Sequence, residues 1–259
     1  MTSYNFDRVA AQYDATRGFP PGVANRICTW ILSRLPNDPA VTELGVGTGR
    51  IAMPFIERGV RYWGIDISEA MVSRLMAKLG PAGLRRAQIH IADITQPLPL
   101  AEQSQDAVIA VHVLHLVDSL KALEQVRRVL KPHGALIWGH TRHDELSPLA
   151  LIRPKFHEIV AELGAGKPRN WEQQQARELL ARWGAQASRH IGAVWQETQT
   201  PRQVLEPLRE KAMSSTWHIP DAILAEAIRR TEAWAKEQYR GLDDPHEYDV
   251  SFVVDWYQF

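Results

Sequence analysis

Between residues 40 and 138, short apolar runs alternate with segments whose apolar residues recur every three or four positions, and this alternation constrains the fold most. Such alternation is typical of βαβ units, which build a parallel sheet covered by helices. The predicted strands are residues 40–44, 62–66, 87–92, 107–111 and 135–138, followed by 189–195 and 248–256. The sequence therefore predicts an α/β, Rossmann-like, mostly parallel seven-stranded sheet with helices on both faces.

The segments around this core predict one domain with helical additions. At 259 residues and 45% hydrophobic content, the chain can bury a substantial core. We expect an N-terminal helical cap over 1–36, a ligand-binding core over 40–143, a helical lid region with one strand over 144–247, and a final strand over 248–259. Apolar spacing predicts a helix over 5–14, and Ser68 is predicted to cap a helix that closes at Gly80-Pro81.

Three glycines at alternate positions, Gly45, Gly47 and Gly49, directly follow the first predicted strand. Glycine has no Cβ and tolerates positive φ, so backbone N–H groups in such a turn can approach a bound ligand closely. The dinucleotide fingerprint G-x-G-x-x-G would place its third glycine at position 50, which is Arg50. The turn therefore indicates a nucleotide-like ligand but departs from the dinucleotide spacing.

Polar residues end the next predicted strands, and ligands of open parallel sheets bind beyond the carboxyl ends of the strands. Asp66 ends the second strand, from which a carboxylate can accept both hydroxyls of an adenosine ribose. The alternative is a carboxylate that stabilises a helix N-terminus. Asp93 ends the third strand, where capping a loop is the alternative, and His112 and His140 end the fourth and fifth.

Four motifs in this order resemble the class I S-adenosylmethionine-dependent methyltransferases, in their small-molecule, ubiquinone-biosynthesis-type branch. Glu43 with the glycine turn resembles the first motif, and Ala92-Asp93-Ile94 resembles the third. Segments 106–115 and 126–136 are similar to two later motifs, whereas residues 145–259 match none. The resemblance implies S-adenosyl-L-methionine as methyl donor, S-adenosyl-L-homocysteine as product and a small-molecule acceptor.

The resemblance also implies a cofactor site. The methionine half would lie over the glycine turn, the Asp66 carboxylate would bind the ribose, Asp93 would accept from the adenine amino group, and Ile94 would pack on the ring. N-terminal helices close over the cofactor in many relatives, which would bring Tyr13 beside the sulfonium and Arg17 to the methionine carboxylate. The implied cofactor residues are Glu43, Gly45, Val46, Gly47, Thr48, Gly49, Asp66, Ile67, Met71, Asp93, Ile94, His112 and Arg17.

Methyl transfer from a sulfonium is an in-line displacement on an activated electrophile, so alignment and exclusion of water can supply much of the catalysis. A base is needed only if the acceptor is protonated at working pH. His112 is the best-placed base. We expect His140 to orient the acceptor and Tyr13 to lie at the reacting sulfur. The alternative for His112 and His140 is a ring that is hydrogen-bonded to loop backbone.

Composition argues against several other classes. Lys plus Arg and Asp plus Glu each total 30, so no global field attracts nucleic acid. The pairs His112/His115 and His140/His143 lack a matching third ligand, so we expect no metal. Without an apolar run of about 18 residues we expect no membrane span, and with Cys28 as the single cysteine we expect a cytoplasmic protein.

Other interpretations stay open. A nicotinamide-dependent oxidoreductase also uses a glycine turn and an acidic ribose ligand, although Arg50 argues against it. A non-catalytic S-adenosylmethionine-binding regulatory protein would keep the same fold. Six of the nine tryptophans lie at or after residue 171, which suits an apolar or aromatic acceptor but equally suits core packing.

Overall fold

A computed structural model describes residues 7, 10, 13, 14, 18–166 and 171–259. The helices are α1 (Val23–Leu32), α2 (Ala52–Glu57), α3 (Glu69–Leu84), α4 (Ser119–Val129), α5 (Ile152–Glu162), α6 (Trp171–Arg182), α7 (Pro201–Arg209) and α8 (Asp221–Gln238). The strands are β1 (Ala40–Leu44), β2 (Arg61–Asp66), β3 (Ala87–Ile91), β4 (Gln105–Val111), β5 (Leu130–His143), β6 (Gln186–Gln199) and β7 (His246–Gln258). No described helix is long and apolar enough to cross a membrane.

The seven strands form one sheet in the order β3-β2-β1-β4-β5-β7-β6. The first five strands pair in parallel. The Phe259 N–H donates to the Gly134 oxygen (3.0 Å) and the Asp144 N–H donates to the Asp249 oxygen (3.1 Å), so β7 runs antiparallel to β5. The predicted mostly parallel, seven-stranded α/β sheet is confirmed, and its strand order reverses between β1 and β4, where ligands of such sheets bind.

Burial follows from the position of each strand. All five residues of β1 are buried, as a strand covered on both faces requires. On one side, β1, β2, β4 and β5 share a core with α4 and α6. The predicted Ser68 cap of α3 is confirmed, because the Ser68 hydroxyl accepts from the Met71 N–H (3.2 Å).

The described residues fall into two compact units. The first contains the residues up to Thr141 together with 171–193 and 252–259. The second contains 142–166 and 194–251, in which α5, α7 and α8 pack against one another. The single domain predicted from the sequence, with its four segments, stays a prediction.

Several elements differ from the sequence prediction in length. Strand β5 has 14 residues rather than the predicted 135–138, because it begins before an irregularity in its register with β4 and continues to His143. Helix α3 was predicted to close at Gly80 but runs to Leu84, with a break at Gly80 (φ 58°, ψ −178°). Pro81 follows the break, where a missing N–H costs no helical hydrogen bond. Most of the predicted N-terminal helix 5–14 lies outside the described residues.

Candidate functional site

The glycine turn joins β1 to α2 and has positive φ at all three glycines, 68° at Gly45, 54° at Gly47 and 86° at Gly49. A Cβ on the first would lie 2.6 Å from Val113 Cγ2, and one on the third would lie 2.4 Å from Leu75 Cδ1. Among the described residues other than its chain neighbours, the nearest atom to a Cβ built on Gly47 is the Gly45 oxygen, 4.0 Å away. Protein packing therefore requires the outer two glycines, while the middle one faces space that a ligand can enter.

Asp66 ends β2 and fixes this turn from one side. Its Oδ2 accepts from the Gly47 N–H (2.8 Å) and its Oδ1 from the Ser68 N–H (2.9 Å). Burial raises the pKa of this half-buried carboxyl above its usual value, although the backbone hydrogen bonds act in the opposite direction. Each carboxylate oxygen has two lone pairs, so both oxygens keep the capacity to accept from a ligand hydroxyl.

Glu43 is the last residue but one of β1 and is only 2% exposed. The Tyr62 hydroxyl donates to Glu43 Oε2 (2.6 Å). Burial raises the pKa of Glu43 to about 8, against the opposing effects of the Tyr62 hydrogen bond and the Arg50 charge. The structure therefore places this predicted cofactor residue in the core, hydrogen-bonded to Tyr62.

The ends of β2 and β3 lie side by side, since the Ala92 N–H donates to the Asp66 backbone oxygen (2.9 Å). Asp93 is half-buried, and its Oδ1 accepts from both the N–H (2.9 Å) and the hydroxyl (2.8 Å) of Thr95. Of the other predicted cofactor residues in this region, Ile67 is 36% exposed, whereas Val46, Met71 and Ile94 are buried.

Two carboxylates of the N-terminal segment reach this region, and sequence reasoning missed both. Asp14 Oδ1 accepts from the Thr48 hydroxyl (2.5 Å), and its Oδ2 pairs with Lys78 Nζ (2.6 Å). Asp7 Oδ1 accepts from the hydroxyl of Ser68 (2.5 Å) and from the Ala70 N–H (3.2 Å). These contacts bridge distant parts of the chain, so no local pattern could have indicated them.

Tyr13 and Arg17 are the two site residues that the sequence predicts in the N-terminal segment. Tyr13 precedes Asp14 and is half-buried. Arg17 lies outside the described residues. The position of Tyr13 beside the reacting sulfur stays a prediction.

His112 follows β4 with φ of 53°, a conformation that is rare for a residue with a side chain and typical of functional sites. Its Nε2 accepts from the Thr141 N–H (3.0 Å) and lies 3.1 Å from the hydroxyl of the same residue. An accepting Nε2 assigns the hydrogen to Nδ1 and the ring to its neutral form. The only lone pair that could take a proton is therefore already engaged.

The end of β4 lies beside Gly139 inside β5, because the His112 N–H donates to the Gly139 oxygen (3.2 Å). The prediction that His140 ends the fifth strand is wrong, since pairing extends β5 to His143. His140 is half-buried, whereas His115 is exposed. Across the described parts of the chain, no group of three or more His, Cys, Asp or Glu side chains is arranged to hold a metal ion.

Residues 42–138, which contain the glycine turn, Asp66, Asp93 and His112, match the family described as "Methyltransferase domain". The chain is 31% identical to the uncharacterized methyltransferase YdaC of Bacillus subtilis, covering 46% of this chain and 67% of the relative. It is 26% identical to an uncharacterized methyltransferase of Mycobacterium bovis, over 83% of this chain and 79% of the relative.

The fold is also similar to that of a solved structure, the YcgJ protein of Bacillus subtilis. The TM-score is 0.55 with 15% identity, covering 90% of this chain and 97% of that protein. The parallel sheet, the glycine turn at its switch point and the sequence relatives agree, and the chain belongs to the class I methyltransferase family.

Proposed function

We propose that this methyltransferase takes its methyl group from S-adenosyl-L-methionine, transfers it to a small-molecule acceptor and releases S-adenosyl-L-homocysteine. The observation that carries the proposal is the Asp66 carboxylate, which holds the Gly47 N–H (2.8 Å) and still has acceptor capacity at both oxygens. It lies beside the switch point of the sheet, where an adenosine ribose would present two hydroxyls.

The residues of the glycine turn fit this donor. A Cβ on residue 47 would occupy the space in front of the turn. Because glycine has no Cβ, a ligand has room to contact the backbone there. Asp66 would hold the ribose hydroxyls, and Asp93 would accept from the adenine amino group. When bound, the donor supplies a methyl group on a positively charged sulfur, which is already activated for displacement.

The residues of this chain then bind and align the reactants and exclude water. The Nε2 of His112 accepts from the Thr141 N–H, so this nitrogen is already engaged within the protein. We therefore propose that His112 helps to shape the site and does not act as the general base. His140 and Tyr13 stay proposed as acceptor-orienting and sulfur-adjacent residues.

The tautomer of His112 tests this assignment. In the ligand-free protein at neutral pH, we expect the ¹⁵N chemical shifts of its ring to report a protonated Nδ1 and an unprotonated Nε2. Thr141→Pro would remove the backbone donor and should allow both tautomers. A neutral ring with its hydrogen on Nε2 in the unsubstituted protein would return His112 to the role of base.

The acceptor is proposed only as a small molecule. Balanced charge, 30 basic against 30 acidic residues, gives no overall attraction to nucleic acid. The tryptophans do not indicate the chemical class of the acceptor. Trp217 Nε1 donates to the Lys211 oxygen (2.7 Å). Trp195 and Trp256 are buried, and their ring N–H groups also donate within the protein. These three contacts favour core packing over an aromatic acceptor pocket.

We also propose that the protein works in the cytoplasm, as its lone buried cysteine suits a reducing compartment.

Thermal unfolding with ligands tests the donor. S-adenosylhomocysteine at about 100 times its Kd should stabilise the protein by about 2.7 kcal/mol, whereas NAD⁺ and NADP⁺ should not. Stabilisation by a dinucleotide alone would favour an oxidoreductase.

Turnover separates an enzyme from a regulatory protein. Incubation with S-adenosylmethionine labelled in its methyl group and a metabolite extract should place label in the low-molecular-weight fraction, with or without a chelator. Binding of S-adenosylhomocysteine without labelled product across extracts would favour the regulatory alternative.

A further inference from the structure

Thr48 lies between the second and third glycines of the turn and is 1% exposed. Both of its polar oxygens are held by other parts of the chain. Its hydroxyl donates to Asp14 Oδ1 (2.5 Å), and its backbone oxygen accepts from Lys78 Nζ (2.9 Å). Because the same lysine pairs with Asp14 Oδ2 (2.6 Å), three residues from three segments form a closed triangle of polar contacts.

Helix α3 supports the turn through one of its faces. Leu75 approaches Gly49, and Lys78, three residues further along, contacts Thr48. Residues three apart lie on the same side of a helix. The first turn of α3 also contacts the N-terminal segment, where Asp7 accepts from Ser68. Two carboxylates of that segment are therefore fixed to one helix, one at its start and one beside the glycine turn.

The ion pair is poorly placed to stabilise the fold itself. The side chains of Lys78 and Asp14 are 37% and 44% exposed, and ion pairs of that exposure contribute little to folding. The segment that the pair holds, however, contains three glycines with positive φ, whose backbone would lose much conformational freedom on binding a ligand. Holding such a turn in place beforehand reduces the entropy lost on binding.

We propose that Asp14 and Lys78 are positioning residues of the cofactor site. They fix the glycine turn through Thr48 and attach the N-terminal segment to it, and so they set the affinity and the release rate of the adenosyl ligand. The inference rests on the proposed function, because it assumes that this turn binds the donor and its product.

Titration calorimetry and stopped-flow dissociation with S-adenosylhomocysteine test the proposal on the full chain. The variants are Asp14→Asn, Lys78→Met, the double variant and the conservative Lys78→Arg. The amide oxygen in Asp14→Asn keeps an acceptor for the buried Thr48 hydroxyl while the ion pair with Lys78 is lost. The matched control is Asp38→Asn, which weakens another exposed ion pair, Arg61–Asp38 (3.3 Å), beside the amino end of β2. The melting temperature of each ligand-free variant is measured in parallel.

Each single variant should weaken binding about fivefold or more, mainly through faster dissociation. The double variant should lose no more than the weaker-binding single variant, because the two residues act as one unit. Lys78→Arg should recover most of the affinity, and the control should keep it. The melting temperatures without ligand should stay within about 2 °C of the unsubstituted protein.

Unchanged affinity in both single variants would overturn the inference while leaving the proposed donor intact. Additive losses in the double variant, or losses of affinity that parallel losses of melting temperature, would also overturn it, since they would indicate independent or merely structural contacts. If the unsubstituted protein does not bind S-adenosylhomocysteine, the proposed function fails and the inference fails with it.

Discussion

The carboxyl ends of β1 to β4 and the helices of the second unit use charged residues in opposite ways. At the strand ends, the half-buried carboxylates of Asp66 and Asp93 accept from backbone N–H groups, and the buried Glu43 accepts from the Tyr62 hydroxyl. In the second unit, α5 and α8 are joined by an exposed ion pair, Arg230–Glu162 (2.6 Å, side chains 38% and 46% exposed). Buried polar groups need specific partners, whereas exposed pairs contribute little. Ligand chemistry is therefore expected at the strand ends, and charge on these helices serves mainly their contact with solvent.

Removing the Asp66 carboxylate should give the largest loss of affinity for S-adenosylhomocysteine. Asp66→Ala leaves the N–H groups of Gly47 and Ser68 without their acceptor and removes the proposed ribose ligand. We expect S-adenosylhomocysteine affinity to fall about a hundredfold, since hydrogen bonds to a charged group contribute about 1.5–3 kcal/mol each. Titration calorimetry measures this loss.

Asp106→Asn is the matched control, because Asp106 binds the Ala40 N–H (2.8 Å) and Lys131 (2.8 Å) beside the amino ends of β1 and β5. It should lower stability and leave affinity within about twofold. Equal losses of affinity in Asp66→Ala and Asp106→Asn would contradict the assignment of ligand binding to the carboxyl ends.

Two glycine substitutions should separate packing from binding within the turn. Gly49→Ala places a Cβ 2.4 Å from Leu75 Cδ1 and should cost about 2–3 kcal/mol of stability. Gly47→Ala meets no such obstacle, so it should cost only about 1–2 kcal/mol for its positive φ while weakening ligand binding more than tenfold. Denaturant unfolding and calorimetry on both variants measure the two effects. A Gly47→Ala protein with normal affinity would place the ligand elsewhere.

The fold and half of this site could be predicted because their signals are local. The strand β1, the turn after it, Asp66 and the Ser68 cap lie within short stretches whose patterns have a direct physical meaning. The contacts of Asp14 with Thr48 and of Tyr62 with Glu43 could not be predicted, since they join residues 34 and 19 positions apart. Only the packed chain brings such partners together.

The length of β5 could not be predicted either, because it depends on pairing with strands that are distant in the sequence. Its apolar run indicates only residues 135–138, but the observed strand extends from Leu130 to His143. The polar end of the strand is ordered by pairing, as the Asp144–Asp249 hydrogen bond shows just beyond it. A strand with polar residues at both ends has no hydrophobic period there, so its true limits depend on its neighbours.

Glu43 should make the stability of the protein depend on pH. Burial raises its pKa from about 4.5 to about 8, so the folded protein binds this proton more tightly than the unfolded chain does. This contribution to stability is fully present below about pH 4.5 and is lost as the pH rises toward 8. Relative to Glu43→Gln, the unsubstituted protein should lose about 2 kcal/mol between pH 6 and 8, which denaturant unfolding measures. Parallel pH profiles for the two proteins would show that Glu43 is ionised in the fold.

The smallest change in stability and affinity is expected from a substitution in the second unit. Arg230→Gln removes the charge partner of Glu162 on the surface of α8, and exposed pairs of this kind contribute less than about 1 kcal/mol. The affinity for S-adenosylhomocysteine should be unchanged, because the proposed ligand contacts all lie in the first unit. A loss of affinity as large as that of Asp66→Ala would mean that charge on these helices controls the donor site, and it would contradict the assignment of donor binding to the strand ends. A change in acceptor turnover with unchanged donor affinity would instead assign acceptor recognition to the unit in which the sequence offered no motif.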